Sequence, residues 1–262
     1  MNSQGIQESQ KRELLTAVRR AGELLLDLWP GGSSIGAALE IKTKGDGSLV
    51  SLADLRSNEL IMSAITELFP SDALLSEETE PDNATLAAAR RTWIIDPLDG
   101  TASFLAGRDD FSILVALCED QIPTFGVMLF PARGQMIIAE HGKGATVNGG
   151  PLAVSRNQLL SQGRVYIRNF ECTRPELSSP AMDSGLAFLK VACGELDGAI
   201  IKMSTHREWD IAAPLVVISE ANGLVSDETG AVIRCGSGLI SYRYVVASNG
   251  INHKELLAVI PR

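Results

Sequence analysis

The sequence predicts a mixed α/β fold from three observations. Apolar residues recur at helical spacing over residues 8–29 and 54–69, which predicts two amphipathic helices. Short apolar runs then predict consecutive strands between residues 112 and 147. From about residue 152 onward, strand-like and helix-like segments alternate, which is typical of helices layered against a sheet.

The elements can be placed in chain order. The first helix ends at Pro30-Gly31-Gly32, because proline and glycine do not continue a helix. The strands expected in the first half are 73–76, 93–95, Ser112–Cys118, Thr124–Phe130, Gln135–Glu140 and Ala145–Val147. The second half is expected to contain strand Val165–Arg168, a helix at about 184–194, strand Gly198–Met203, a helix at about 210–221 and strand Leu224–Asp227. The turn at 148–150 divides the chain into an N-terminal α+β domain, 1–150, and a C-terminal α/β domain, 151–262.

Composition narrows the class of protein. The 262 residues are 45% apolar and 21% charged, as in ordinary globular proteins. A net charge of −9 argues against a nucleic-acid polymer as the partner, but not against a small phosphorylated metabolite. No apolar run is long enough to span a bilayer, and no basic-then-apolar signal pattern opens the chain. The four cysteines lack a C-x-x-C spacing, which is typical of reduced thiols in a cytoplasmic protein.

Residues 93–101, W-I-I-D-P-L-D-G-T, are the most informative segment. The apolar run predicts a strand that stops at Asp96, where Pro97 forces a turn. Asp96 and Asp99 are then held on one short turn, and hard cations such as Mg²⁺ prefer carboxylate oxygens in a fixed array. Gly100-Thr101 adds backbone N–H donors for a phosphate if a helix begins there. Taken alone, the segment also fits a plain turn with solvated aspartates.

A second acidic strand end favours the metal-binding interpretation. The short strand Ala73-Leu74-Leu75-Ser76 is followed at once by Glu77 and Glu78. Two strands that each end in acids can present several carboxylates at one sheet edge. Such a cluster repels itself unless cations occupy it, so a Mg²⁺ site is the natural expectation.

L-S-E-E, W-I-I-D-P-L-D-G-T and Trp209-Asp210 together resemble the inositol monophosphatase superfamily. Its members are Mg²⁺-dependent, often lithium-sensitive phosphomonoesterases. The resemblance extends from about Lys44 to Asp227 and implies a layered αβαβα sandwich of the inositol monophosphatase and fructose-1,6-bisphosphatase type. It also implies two or three Mg²⁺ ions at a site between two domains, and it leaves a homodimer as an option.

The resemblance assigns roles to individual residues. The implied metal ligands are Glu77, Asp96, Leu98, Asp99 and Asp210. Asp54 and Thr101 would orient and deprotonate the attacking water, and Glu78 would hold a metal-bound water. The implied substrate contacts are Gly100, Thr101, Ser184 and Arg207.

Some of these positions have simpler interpretations. Ser51 and Asp54 also fit a helix capping box. Asp210 also fits a helix N-cap. The loop Lys44–Ser48 is either a flexible connector or a catalytic loop in which Asp46 contributes to a further metal site. His206 is expected to be solvated, whereas Trp29 and Trp93 are expected in the core.

The substrate is harder to assign. Inositol monophosphatases have an acidic residue seven positions before the aspartate of W-D, and here that position is Met203. Lys44–Asp54 and Glu208–Pro214 are more similar to the 3'(2'),5'-bisphosphate nucleotidases, which predicts adenosine 3',5'-bisphosphate as the substrate. The segment from Arg168 to Ser184 is shorter than in the family, and Asp183-Ser184-Gly185 replaces its usual Gly-Ser pair. The alternatives are an inositol or histidinol phosphate phosphatase, or an inactive metal-binding homologue with an interaction role.

Overall fold

The structure is a computed structural model that describes residues 5–32, 41–43, 49–161 and 164–261, with the backbone alone at 41–43 and 49–50. Its α-helices are α1 (Glu8–Leu28), α2 (Leu52–Leu68), α3 (Asn83–Ala88), α4 (Thr101–Leu105), α5 (Ser184–Ala192), α6 (Glu208–Glu220) and α7 (His253–Leu257). Short 3₁₀ turns cover Pro131–Arg133 and Pro175–Leu177.

The strands of the described residues form three sheets. A two-stranded antiparallel sheet pairs β1 (Ile41–Thr43) with β2 (Leu49–Ser51). A seven-stranded sheet runs in the order β3 (Ala73–Ser76), β4 (Arg91–Asp99), β5 (Ser112–Glu119), β6 (Ile122–Phe130), β7 (Gln135–Glu140), β8 (Gly144–Val147) and β9 (Gly150–Pro151). A four-stranded sheet has the order β10 (Val165–Arg168), β11 (Gly198–Lys202), β13 (Tyr244–Ser248) and β12 (Leu224–Asp227).

The layers follow from the alternation of side chains along buried strands. On β5, Ile113 and Val115 pack in the core formed with α1 and α2, whereas Leu114 and Ala116 pack in the core formed with α5 and α6. The same α5–α6 core reaches the four-stranded sheet, whose far side packs against α7. The result is the predicted αβαβα sandwich, with both faces of the larger sheet buried.

The sequence located most elements within a few residues of their observed bounds. Helix α6 begins at Glu208, two residues before the predicted start, and α5 ends at Ala192, two before the predicted end. The prediction that this strand stops at Asp96 is wrong, because β4 continues to Asp99. The elements that the sequence did not predict are β1, β2, β9, α3, β13 and α7.

Other features can be stated briefly. The four cysteines are unpaired, with Cys118 and Cys235 buried and Cys172 and Cys193 partly exposed. No helix of the described residues has the length and apolar character needed to cross a bilayer. The domain division at residue 150 stays a prediction.

Candidate active site

Two acidic strand ends lie side by side, as the sequence predicted. Strand β3 runs parallel to β4, with Ser76 opposite Ile95. The Glu77 N–H continues this pairing by donating to the Ile95 carbonyl at 3.1 Å. Because parallel strands end at the same sheet edge, Glu77 reaches the position where Asp96 begins the acidic segment of β4.

The Asp96–Asp99 segment belongs to β4, although its pairing is irregular. Asp96 pairs with Leu114 and Asp99 with Ser112, and the register shifts between them. The Leu98 N–H donates to Asp96 Oδ1 at 3.0 Å, and the Ser112 hydroxyl donates to Asp99 Oδ2 at 2.9 Å. The irregularity replaces the predicted turn, and it fixes both carboxylates with hydrogen bonds from the surrounding sheet.

The third carboxylate comes from the helix layer between the sheets. Asp210 lies in the first turn of α6, where it accepts a hydrogen bond from the Arg207 N–H. Asp210 is therefore not the N-cap of α6, as its sequence position also allowed. The N-cap is Arg207, and Asp210 is the third helical residue, whose side chain bonds back to the N-cap backbone. One carboxylate oxygen each from Asp96, Asp99 and Asp210 lies within 4.8 Å of the others.

The electrostatics of this trio are those of a cation site. Burial and then the charge of Glu77 raise the pKa of Asp96 well above its ordinary value. Burial and then the charge of Asp183 raise the pKa of Asp99 in the same direction. Burial also raises the pKa of Asp210, to about 7. Oxygen ligands that repel one another in this way fit a hard divalent cation, which removes the repulsion when it binds.

Thr101 and Asp54 are brought together next to the trio. The Thr101 hydroxyl lies 3.0 Å from Asp54 Oδ1 and 3.2 Å from the Leu98 carbonyl oxygen. Asp54 is fully buried, and its Oδ2 accepts hydrogen bonds from the N–H and the hydroxyl of Ser51 at 2.7 and 2.6 Å. The expected capping box is therefore present, and the same carboxylate that caps α2 also contacts Thr101.

The turn that leads from β4 into α4 carries two further predicted residues. Gly100 has a φ of +83°, a conformation that glycine adopts without steric cost. Helix α4 begins directly after it at Thr101. Near the end of β3, the Glu78 N–H lies 3.4 Å from the Ser76 hydroxyl. The loop Lys44–Ser48, with Asp46, lies outside the described residues.

The predicted substrate residues Ser184 and Arg207 lie on either side of His206. Ser184 begins α5 and is buried, with its hydroxyl 3.3 Å from His206 Nε2. The expectation of a solvated His206 is wrong, because the ring is only 6% exposed. Burial, assisted by the charges of Arg168 and Arg207, lowers the pKa of His206 to about 4, so the ring is neutral at physiological pH.

The start of α5 packs directly on the segment of β4 that carries Asp99. A Cβ atom on Gly185 would lie 2.2 Å from Asp99 Oδ2 and 2.8 Å from the Ser112 hydroxyl. Glycine is therefore required at this position, because any side chain would displace the Asp99 carboxylate or the helix. Close packing against Asp99 and Ser112 thus explains why glycine follows Asp183-Ser184 in the sequence.

A basic cavity is linked to the trio through Arg207, whose N–H donates to Asp210, and only Arg207 and Met203 of its lining were singled out from the sequence. Its volume is about 400 Å³. It is lined by Lys202, Met203, Ser204, Arg207, Gly238, Leu239, Ile240, Tyr242 and Arg243. These residues come from segments far apart in the chain, so no local motif could reveal that they share a cavity.

Glu208 ties one wall of this cavity to α6. The side chain is buried, and its Oε2 accepts hydrogen bonds from the N–H groups of Gly236 and Gly238 at 2.8 and 3.2 Å. Since Glu208 directly precedes Trp209-Asp210, the helix that supplies a carboxylate to the trio also positions the loop at the cavity.

A carboxylate trio at the edge of an αβαβα sandwich is a candidate site for metal-dependent phosphoester hydrolysis, and comparison with known proteins supplies the class. The model of the inositol monophosphatase family matches residues 7–262. A histidinol-phosphatase of Chlorobaculum parvum is 32% identical over 90% of this chain and 92% of its own. An inositol-1-monophosphatase of Synechocystis is 32% identical over 94% and 88% of the two chains. The solved structure of a Thermotoga maritima inositol monophosphatase superposes with a TM-score of 0.80 at 25% identity, covering 97% of this chain and 96% of that one.

The chain therefore belongs to the inositol monophosphatase family, and it is a phosphomonoesterase. The predicted family and fold are confirmed.

Proposed function

We propose that the protein is a Mg²⁺-dependent phosphomonoesterase that hydrolyses adenosine 3',5'-bisphosphate to AMP and phosphate. The observation that carries the metal dependence is the convergence of Asp96, Asp99 and Asp210 within 4.8 Å. Three carboxylates this close in a buried site are unfavourable without a cation, and oxygen-only ligands suit Mg²⁺.

Two or three Mg²⁺ ions would be held by Glu77, Asp96, the Leu98 carbonyl, Asp99 and Asp210. When bound, they supply charge neutralisation to the phosphate ester and lower the pKa of water. The chain itself supplies orientation. If the Thr101 hydroxyl donates to Asp54, its lone pairs are left to accept a hydrogen bond from the attacking water. Glu78 is proposed to hold a second water, and Gly100 and Thr101 to contact the phosphate.

Asp54 is well suited to fix the direction of this hydrogen bond. Its other oxygen is held by two donors from Ser51, so the carboxylate cannot rotate without losing them. Burial raises the pKa of Asp54, which makes it a stronger base than an exposed aspartate. A fixed and basic acceptor behind Thr101 fits the role of orienting and accepting a proton from water.

The substrate assignment rests on the chemistry of the basic cavity. Lys202, Arg207 and Arg243 contribute positive charge, although Arg243 also pairs with Glu228 at 3.2 Å. Met203 supplies apolar surface where a carboxylate would be needed for inositol hydroxyls. A second phosphate and a purine combine negative charge with an apolar face, so a nucleoside bisphosphate fits this lining better than a sugar alcohol does.

Phosphate release tests the proposed class of enzyme. We expect the purified protein to release inorganic phosphate from adenosine 3',5'-bisphosphate with Mg²⁺ and to lose this activity in EDTA. The family resemblance implies that millimolar Li⁺ inhibits the reaction, because Li⁺ competes for a weakly held Mg²⁺ position. A protein that binds Mg²⁺ in calorimetry but hydrolyses no phosphate ester would instead support the inactive homologue with an interaction role.

Parallel kinetics test the substrate. We expect kcat/KM to be higher for adenosine 3',5'-bisphosphate than for inositol 1-phosphate, because the purine and the second phosphate add binding energy away from the reacting group. Histidinol phosphate is the third compound, since the Chlorobaculum parvum relative is a histidinol-phosphatase. A higher kcat/KM for either alternative would replace the substrate assignment and leave the metal site as proposed.

A further inference from the structure

We infer that Asp183 selects substrates that carry a hydrogen-bond donor on the carbon next to the phosphate ester. The inference rests on the proposed phosphomonoesterase activity, and it assigns a specificity-determining role to a residue where the family usually has glycine. The donor can be a hydroxyl or an ammonium group. Adenosine 3',5'-bisphosphate offers a hydroxyl at its 2' position and inositol 1-phosphate offers ring hydroxyls, whereas histidinol phosphate offers an ammonium group.

The position of Asp183 is fixed from several directions. It is the N-cap of α5, where its Oδ1 accepts a hydrogen bond from the Gly185 N–H at 3.1 Å. Its own N–H donates to Asp110 Oδ2 at 2.9 Å. Held in this way, the carboxyl group does not need to reorganise when a ligand arrives.

The same carboxyl group lies against the turn that contains the proposed phosphate contacts. A Cβ atom on Gly100 would be 3.0 Å from both Cγ and Oδ2 of Asp183. The Asp183 and Asp99 carboxyl groups are also in direct contact. Asp183 therefore lies beside the position that a phosphate ester on Gly100 and Thr101 would occupy, within reach of its leaving group.

Asp183 differs from the metal-binding trio in its geometry. Within the described part of the chain, the carboxylates that converge within 4.8 Å are Asp96, Asp99 and Asp210, and Asp183 is not among them. A carboxylate accepts up to about four hydrogen bonds. Among the described residues, the Asp183 carboxylate accepts a hydrogen bond from the Gly185 N–H and shares one further hydrogen bond with the Asp99 carboxyl group. It therefore keeps acceptor capacity for a group on the substrate.

The experiment compares adenosine 3',5'-bisphosphate with its 2'-deoxy analogue, at saturating Mg²⁺, on the wild type and on Asp183→Asn and Asp183→Gly. We expect the wild type to prefer the ribonucleotide by about 10- to 100-fold in kcat/KM, as for a hydrogen bond to a charged acceptor. In both variants this ratio should fall to about threefold or less. Because the ratio is taken within one variant, changes in Mg²⁺ affinity or folding cancel from it.

The matched control is Asp82→Asn. Asp82 caps α3 by accepting from the N–H groups of Ala84 and Thr85, and it is not among the residues proposed to contact metal, water or substrate. In this variant, the ratio of kcat/KM between the ribonucleotide and its 2'-deoxy analogue should remain at the wild-type value. If histidinol phosphate is the better substrate, the analogue lacking its amino group takes the place of the deoxynucleotide.

The outcomes separate this inference from the proposed function. A wild type that hydrolyses both nucleotides equally well contradicts the role of Asp183 while supporting the phosphatase. So does a ribonucleotide preference that persists in both variants. A wild type that hydrolyses no phosphate ester contradicts the proposed function, and the inference fails with it.

Discussion

Replacing Asp96 with asparagine is expected to lower kcat for phosphate release by about 10³-fold or more. Asp96 is 1% exposed and belongs to the carboxylate trio, so the substitution removes a carboxylate that we propose to be a metal ligand. Losing a ligand to catalytic Mg²⁺ costs several kcal/mol of transition-state stabilisation, and about 4 kcal/mol corresponds to the stated factor. The measurement is Mg²⁺-dependent turnover, with thermal melting to establish that the variant is folded.

The same variant is expected to melt at a higher temperature than the wild type when both are free of metal at pH 7.5. The folded protein raises the pKa of Asp96 above its ordinary value of 3.8, so the ionised carboxylate is less favourable in the folded than in the unfolded chain. Folding stability therefore falls as the pH rises from this value through the raised pKa. Asparagine removes the charge, and the advantage of the variant should shrink toward pH 5.

Asp197→Asn is a control for which the expected change in melting temperature has the opposite sign. Burial opposes ionisation of Asp197, but hydrogen bonds from Arg164, Ser155 and Asn157 outweigh it and lower the pKa. Neutralising this residue should lower the melting temperature at pH 7.5, with or without Mg²⁺, while the enzyme keeps its metal site. Near-normal turnover of Asp96→Asn, or a metal-free variant less stable than the wild type at pH 7.5, would show that Asp96 is misassigned.

Thr101→Val is expected to lower kcat by about 10²- to 10⁴-fold, the usual contribution of a positioned acid–base group. Valine keeps the shape of threonine but lacks the hydroxyl that lies 3.0 Å from Asp54 Oδ1. The proposed water would then lose its acceptor, whereas the carboxylate trio would remain. Mg²⁺ affinity, measured by calorimetry, should therefore change little while turnover falls.

Thr101→Ser is the matched conservative variant. It retains the hydroxyl and should recover most of the activity, although it loses a methyl group. If the valine variant turns over at the wild-type rate, the pairing of Thr101 with Asp54 serves only to join α2 and α4. Another residue would then have to orient the attacking water.

The fold was predictable where a pattern was local. Helix α1 has buried residues at Leu14, Val18, Ala21 and Leu25, so its periodicity alone reveals it. Short elements were missed because they lack this repetition. Helix α3 has one buried residue, Leu86, so it shows no apolar repeat. All five residues of β13 are buried, and periodicity does not distinguish such a continuous apolar run from a buried helical segment.

The site was predictable where chemistry and sequence motif coincide. Asp96, Asp99 and Thr101 share one motif, and the structure places them next to Glu77 and Asp54 as expected. Asp183 was noticed as a departure from the family pattern, but not as a residue against Gly100 and Asp99. The burial of His206 and the basic cavity depend on how α5, α6 and the segment 236–243 pack, which no local pattern encodes.

The trio has a consequence for how the enzyme matures. Asp210 lies on α6, more than a hundred residues after Asp96 and Asp99 on β4, so the three carboxylates come together only when these distant parts of the chain pack. A cation that needs all three cannot template early folding, and it binds only once the tertiary contacts of α6 with β4 exist. With the proposed metal site, the enzyme would gain its activity and the stability contributed by the bound cation in the same event. In a cell short of the cation, newly made chains would be inactive and also more readily unfolded and degraded.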